Sequence, residues 1–151
     1  MSDLNLEIIE SATDEQLEAV KVVLRQYNHE KNPEFFAKWQ RPDQFDIKLH
    51  VFARNPSSQI IGGVIAVTQF SWLKIDILAV HSDYRGRGIG TKLIRSAEEE
   101  ALRRGCKYAF LDTADYQAPK FYEKIGYEMA GQLPDWDSHG HTKYFFIRRL
   151  T

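Results

Sequence analysis

Residues Arg85–Gly90, RGRGIG, place three glycines and two arginines in six positions directly ahead of a helical pattern. Glycine is poor in a helix interior, and cations in a first turn oppose the helix dipole. Both become favourable if an anion sits there. The first helical N–H groups have no intrahelical partner, the dipole makes that end positive, and glycine lets a phosphate approach the backbone closely. Spacing sorts the ligand. A mononucleotide loop needs G-x-x-x-x-G-K-[ST], and here Thr91-Lys92 follow Gly90 at the wrong distance. A dinucleotide fingerprint needs G-x-G-x-x-G; Gly86-x-Gly88 fits, but the third position is Thr91. What remains is Arg85-x-x-Gly88-x-Gly90, after an alternating strand that ends Leu78-Ala79-Val80.

Proton chemistry has two candidates. Asp76 lies in KIDILAV, an otherwise apolar strand pattern, where a carboxylate is costly unless paired or used. It is either a proton acceptor or the partner of a neighbouring cation. His141, in DSHGH, has a side chain suited to shuttling protons near neutral pH, or is an inert loop residue. His139 with His141 makes a poor metal pair, since no cysteine or clustered histidine supports it, and no metal is expected. The lone Cys106 excludes an intramolecular disulfide and reads as a small buried thiol.

The elements that must position these residues follow from periodicity. Residues 4–10 read as a strand. Thr13 and Gln16 form a capping-box pattern, and Leu17, Val20, Leu24 and Tyr27 follow at helical spacing. Pro33 to Trp39 reads as a second helical piece. Residues 44–54, 59–70 and 72–80 read as three strands in an antiparallel meander, with a turn at NPSS. A helix then starts near Gly88. Leu93, Ile94, Ala97 and Ala101 form its apolar face, Glu99–Arg103 and Glu100–Arg104 its solvent-side pairs, and Gly105 its C′ glycine. Residues 107–113 read as a strand, Ala118–Ile125 as a short helix, and 127–132 and 142–150 as two last strands. This is a mixed α/β domain, residues 1–151, with no linker or repeat.

Composition bounds the rest. A chain of 151 residues, 43% hydrophobic and 27% charged, suits one core. A net charge of −1 argues against nucleic-acid binding, including a reading of RGRG as an RNA contact. The apolar runs are too short to span a bilayer, and MSDLNLEIIES is no secretory signal, so cytoplasm is the expected compartment.

The Arg85-x-x-Gly88-x-Gly90 pattern resembles the [QR]-x-x-G-x-[GA] signature of the GNAT superfamily of acyl-CoA-dependent N-acetyltransferases. APKFYEKIGY, residues 118–127, resembles that family's A-x-x-F-Y-x-K-x-G-[FY] motif, and the strand order matches nearly the whole chain. The resemblance implies a central, mostly antiparallel sheet of about six to seven strands flanked by helices. It implies acetyl-CoA as co-substrate and direct transfer of its acetyl group to a primary amine.

By resemblance, backbone N–H groups of Arg87, Gly88, Ile89 and Gly90, with Gly86 and Thr91, hold the pyrophosphate. The side chains of Arg85, Arg87 and Lys92 add charge. Leu78, Ala79 and Val80 lend backbone groups to the pantetheine arm and a donor to the developing oxyanion. Ala118 opens the second motif, and Asp115 stands near the place of a family asparagine that contacts the cofactor. Tyr122 matches the tyrosine that protonates the departing thiolate. Asp76, acting through water, or His141 takes the amine proton. Phe35, Phe36 and Trp39 line the acceptor site or belong to the core. Relatives commonly form homodimers. A non-catalytic coenzyme A sensor of the same fold is the alternative, disfavoured by Tyr122 and Asp76 together.

Overall fold

The computed structural model describes residues 4–151 and divides into two compact units, Met1–Pro42 and Asp43–Thr151. The described part of the first carries two α-helices after an irregular segment, residues 4–13. Helix α1 (Asp14–Lys31) begins with the expected capping box: Gln16 N donates to Thr13 Oγ1 at 3.2 Å, and Thr13 N donates to Gln16 Oε1 at 2.9 Å. Asn32 ends α1 and caps helix α2 (Pro33–Trp39), its side chain accepting from Phe35 N at 3.1 Å. Pro33 suits the first helical position because its missing N–H would be unpaired there anyway.

Residues 4–10 form no strand, contrary to the alternation read there. The alternation breaks at Ile8-Ile9. The other elements of this unit are helices, so the unit offers no strand edge to take the segment's backbone groups.

The second unit carries one six-stranded sheet in the order β1-β2-β3-β4-β6-β5. Its strands are β1 (Ile47–Arg54), β2 (Ile60–Gln69), β3 (Trp72–Val80), β4 (Tyr108–Ala114), β5 (Glu128–Leu133) and β6 (Lys143–Arg149). All pairs are antiparallel except β3 with β4, the one pair joined by a helical crossover. A parallel pair needs such a crossover, and helix α3 (Ile89–Arg103) supplies it, packing on β1, β2 and β3.

The core forms where the apolar face of α3 meets one face of the sheet. Leu93, Ile94, Ala97 and Ala101 are buried, as their spacing predicts, against Val64, Leu73, Leu111 and Phe146. Gly105 takes φ +88 at the helix end. Cys106 is buried in the same core.

One solvent-side pair differs from expectation. Arg103 forks onto Glu100 at 2.8 and 2.7 Å rather than meeting Glu99, and Arg104 shares the same carboxylate at 2.7 Å. A bidentate fork is stronger than a single contact, and the two guanidinium hydrogen bonds hold the Glu100 carboxyl down at about 2.

Candidate active site

The sheet opens at Asp76. Ile65 of β2 faces Ile77 of β3, but the next residue, Ala66, faces Ile75, so Asp76 is an extra residue on β3. A bulge of this kind bends the bulged strand and increases its local twist. β3 pairs with β4 only over Trp72–Ile75 against Tyr108–Leu111. Beyond that point β3 stays with β2, while Asp112, Thr113 and Ala114 continue along β6. The parting strands bound a cleft of roughly 940 Å³.

Three elements furnish the cleft. The first is the open edge of β3. His81 N returns to Ile61 O of β2 at 2.8 Å, so by strand alternation the backbone groups of Leu78 and the N–H of Val80 face the cleft, the Val80 carbonyl being taken by Arg85 Nε.

The second is the start of α3. Gly88, at φ +74, is its N-cap; no side chain caps this end, and its first turn contains no acidic residue. Lys92 N makes the first α3 bond, to Gly88 O at 3.1 Å, which leaves the N–H groups of Ile89, Gly90 and Thr91 without protein acceptors among the described residues. Uncapped donors at the positive end of a helix are the fit expected for a pyrophosphate. Gly90 also admits α4, since a Cβ there would stand 3.3 Å from Phe121 Cζ.

The third is helix α4 (Pro119–Lys124), which brings Tyr122 to the cleft wall. Tyr122 is only 7% exposed. Its hydroxyl has no hydrogen-bond partner among the described residues, yet no buried side-chain polar atom there is orphaned. The hydroxyl therefore reaches the cleft rather than the core. Burial, and then the Asp112 carboxylate, push its pKa up to about 12, so it stays protonated at neutral pH.

The other expected residues divide. Asp76, Leu78, Ala79, Val80, Arg85, Gly86, Gly88, Ile89, Gly90, Thr91 and Ala118 all line the cleft. Arg87 does not; its guanidinium sits 5.3 Å from the Tyr84 ring centroid. Asp115 does not either. Its Oδ1 is 2.8 Å from His141 Nδ1 and its Oδ2 accepts from Thr142 N at 3.0 Å, so its carboxylate holds the entry to β6 instead of reaching the cleft. His141 stands outside the lining, its ring 4.8 Å edge-on to Tyr116, which does line it. Asp76 pairs with Lys74 at 2.8 Å, and that hydrogen bond raises the Lys74 pKa.

Asp112 and Tyr116 are cleft residues that the sequence reading passed over. The signal for Asp112 was present: it is an acid inside a largely apolar strand, as Asp76 is. Lys143 approaches Asp112 at 3.4 Å.

The profile of the Acetyltransferase (GNAT) family matches residues 8–127. The chain is 33% identical over 131 residues to the blasticidin-S acetyltransferase of Streptomyces morookaense, covering 84% of this chain and 96% of the relative. It superposes on the 1.9 Å crystal structure of an acetyltransferase from Bacillus cereus with a TM-score of 0.73 at 31% identity, over 95% of this chain and 98% of the other. An aminoglycoside 6′-N-acetyltransferase crystallised with coenzyme A shares the fold, with a TM-score of 0.62 at 21% identity over 95% of this chain and 98% of that one. A cleft that opens between parting strands onto an uncapped, glycine-rich helix start, in a chain with these likenesses, belongs to the GNAT acetyltransferase family, and the protein is an acetyl-CoA-dependent N-acetyltransferase.

Proposed function

We propose that the protein transfers the acetyl group of acetyl-CoA directly to a primary amine of a small-molecule or peptide acceptor. The observation that carries this reading is the single cleft joining the free N–H groups of α3, the open edge of β3 and the Tyr122 hydroxyl. The N–H groups of Gly88 to Thr91, with Arg85, hold the pyrophosphate. Leu78 and Val80 align the pantetheine arm, and a backbone N–H of this edge meets the charge that develops on the carbonyl oxygen. Tyr122 donates to the departing sulfur. Its pKa lies above that of a thiol, so the proton is shared in a hydrogen bond as the C–S bond breaks rather than transferred beforehand.

Asp76, at the mouth of the split sheet, takes the amine proton through water. A second reading has one observation in its favour: Asp115 engages His141 through Nδ1 at 2.8 Å, and the ring stands beside the cleft residue Tyr116. The relative that acetylates blasticidin S supports a small-molecule acceptor, so blasticidin S belongs in the first amine panel. Residues 1–151 serve as one acetyltransferase domain in the cytoplasm, with a homodimer as the assembly to test. No helix among the described residues is long and apolar enough to cross a membrane.

The test is release of coenzyme A thiol over a panel of primary amines. Tyr122→Phe is expected to lower kcat by about a hundredfold or more while leaving acetyl-CoA binding within about twofold. Acetyl-CoA at about a hundred times its Kd should stabilise the fold by about 2.7 kcal/mol. Binding without turnover of any amine would favour the sensor reading, and an unmoved Tm would overturn the cleft assignment. Asp76→Asn and His141→Ala separate the two bases, since only the true one removes the acid limb of the pH–rate profile.

A further inference from the structure

Glu98 is the one buried carboxylate among the described residues, 4% exposed, on a helix whose other buried residues are apolar. Burying a carboxylate is costly unless charges and donors meet it, and here they do. Its Oε2 accepts from Arg95 Nη1 at 2.7 Å. Its Oε1 accepts from the Tyr127 hydroxyl at 2.9 Å and lies 3.5 Å from Arg148 Nη1.

The same two arginines converge on a second acceptor. Arg95 Nη2 and Arg148 Nη1 each donate to the Ile125 carbonyl at 2.7 Å. Ile125 is the C-cap of α4, the helix that carries Tyr122. Two guanidinium groups on one carbonyl repel each other, and Glu98 is the charge that lets them share it.

Helix α4 has six residues, too few to hold its own position in water. Its placement comes from its ends and from packing. The packing leads back to Glu98, because the Tyr127 ring meets the Tyr122 ring edge-on at 5.9 Å while its hydroxyl is bound to that carboxylate.

We infer that Glu98, through Arg95, Arg148 and Tyr127, is a positioning residue that sets where the Tyr122 hydroxyl stands in the cleft. It touches no reactant and acts on the reaction through α4. The inference rests on the reading of Tyr122 as the group that serves the leaving sulfur.

The experiment compares Glu98→Gln, Tyr127→Phe, Tyr122→Phe and the double variant E98Q/Y122F in the full chain, each with its Tm. Turnover is read as coenzyme A thiol released with the amine that gives the highest wild-type rate in the panel. Glu98→Gln keeps the shape and removes the charge. Its kcat is expected to fall about tenfold with the KM for acetyl-CoA within about twofold, and the double variant to be no slower than Tyr122→Phe alone. Tyr127→Phe keeps the ring and folds without the carboxylate bond; a fall of about threefold in kcat is expected.

A readout needing no acceptor uses ring-labelled tyrosine. The Tyr122 carbon signal, identified by its loss in Tyr122→Phe, should shift in Glu98→Gln and in Tyr127→Phe. Full kcat in Glu98→Gln beside a slow Tyr122→Phe overturns this inference alone, as does an unmoved signal or a double variant whose losses multiply. Full kcat in Tyr122→Phe overturns the underlying reading, and this one with it.

Discussion

Arg85 Nε donates to the Val80 carbonyl oxygen at 3.0 Å, tying the first residue of the glycine loop to the last residue of β3. The contact closes the turn between strand and helix, and Arg85 also lines the cleft. Arg85 thus shapes the loop as well as charging it.

Arg85→Ala is therefore expected to raise the KM for acetyl-CoA by about tenfold while changing kcat less, and Arg85→Lys to recover only part of it. An ammonium cannot hold a carbonyl and a phosphate with one planar fork. Titration calorimetry with coenzyme A checks the binding directly; an unchanged Kd in Arg85→Ala would show that neither role matters.

Gly88 is the N-cap of α3 at φ +74, with open space where a Cβ would go. Strain alone, without a clash, opposes a side chain there. Gly88→Ala should cost about 1 kcal/mol, a fall in Tm of about 2–4 °C for a chain of this size, read by thermal unfolding without ligand. A Tm at or above wild type would contradict the left-handed geometry.

Asp115 is held below the usual aspartate range, first by the Thr142 N–H and then by His141. A depressed carboxyl contributes stability that is present above its unfolded value, near 4, and is lost as pH falls through its lower folded value. The Tm of the wild type should exceed that of Asp115→Asn at pH 6, and the gap should narrow below about pH 4. A gap constant from pH 6 to pH 2.5 would show that the carboxylate is not the source.

Cys106 is 3% exposed, and burial raises the pKa of its thiol. Both its access and its thiolate fraction are reduced. Iodoacetamide at pH 7.5 should modify it at least about tenfold more slowly in the folded protein than in guanidinium chloride. Equal rates would place the thiol at the surface.

Local pattern carried far into this fold. The capping box at Thr13, the apolar spacing along α3 and the antiparallel run β1–β3 all involve residues close in sequence, and spacing records such patterns directly. The strand read at residues 4–10 failed for the complementary reason. A strand exists only through its partner, and alternation says nothing about whether one is at hand.

The site divides along the same line. The sequence pointed to the donor through a resemblance: Arg85-x-x-Gly88-x-Gly90 and the FYEK motif are local patterns at the spacing of the GNAT signatures. It also marked Asp76 and Tyr122 as residues of interest. Packing in three dimensions sets where β3 and β4 part, turns Asp115 to His141 rather than to the cleft, and brings Asp112 to the cleft wall. Only there does Glu98, the first of three consecutive glutamates with no motif to single it out, meet Arg148 from β6 and Tyr127 from beyond α4. These contacts join residues 26 to 50 positions apart, as His141 to Asp115 and Arg148 to Glu98 show, and a pairing over such a separation is set by how the sheet packs on its helices, not by local spacing.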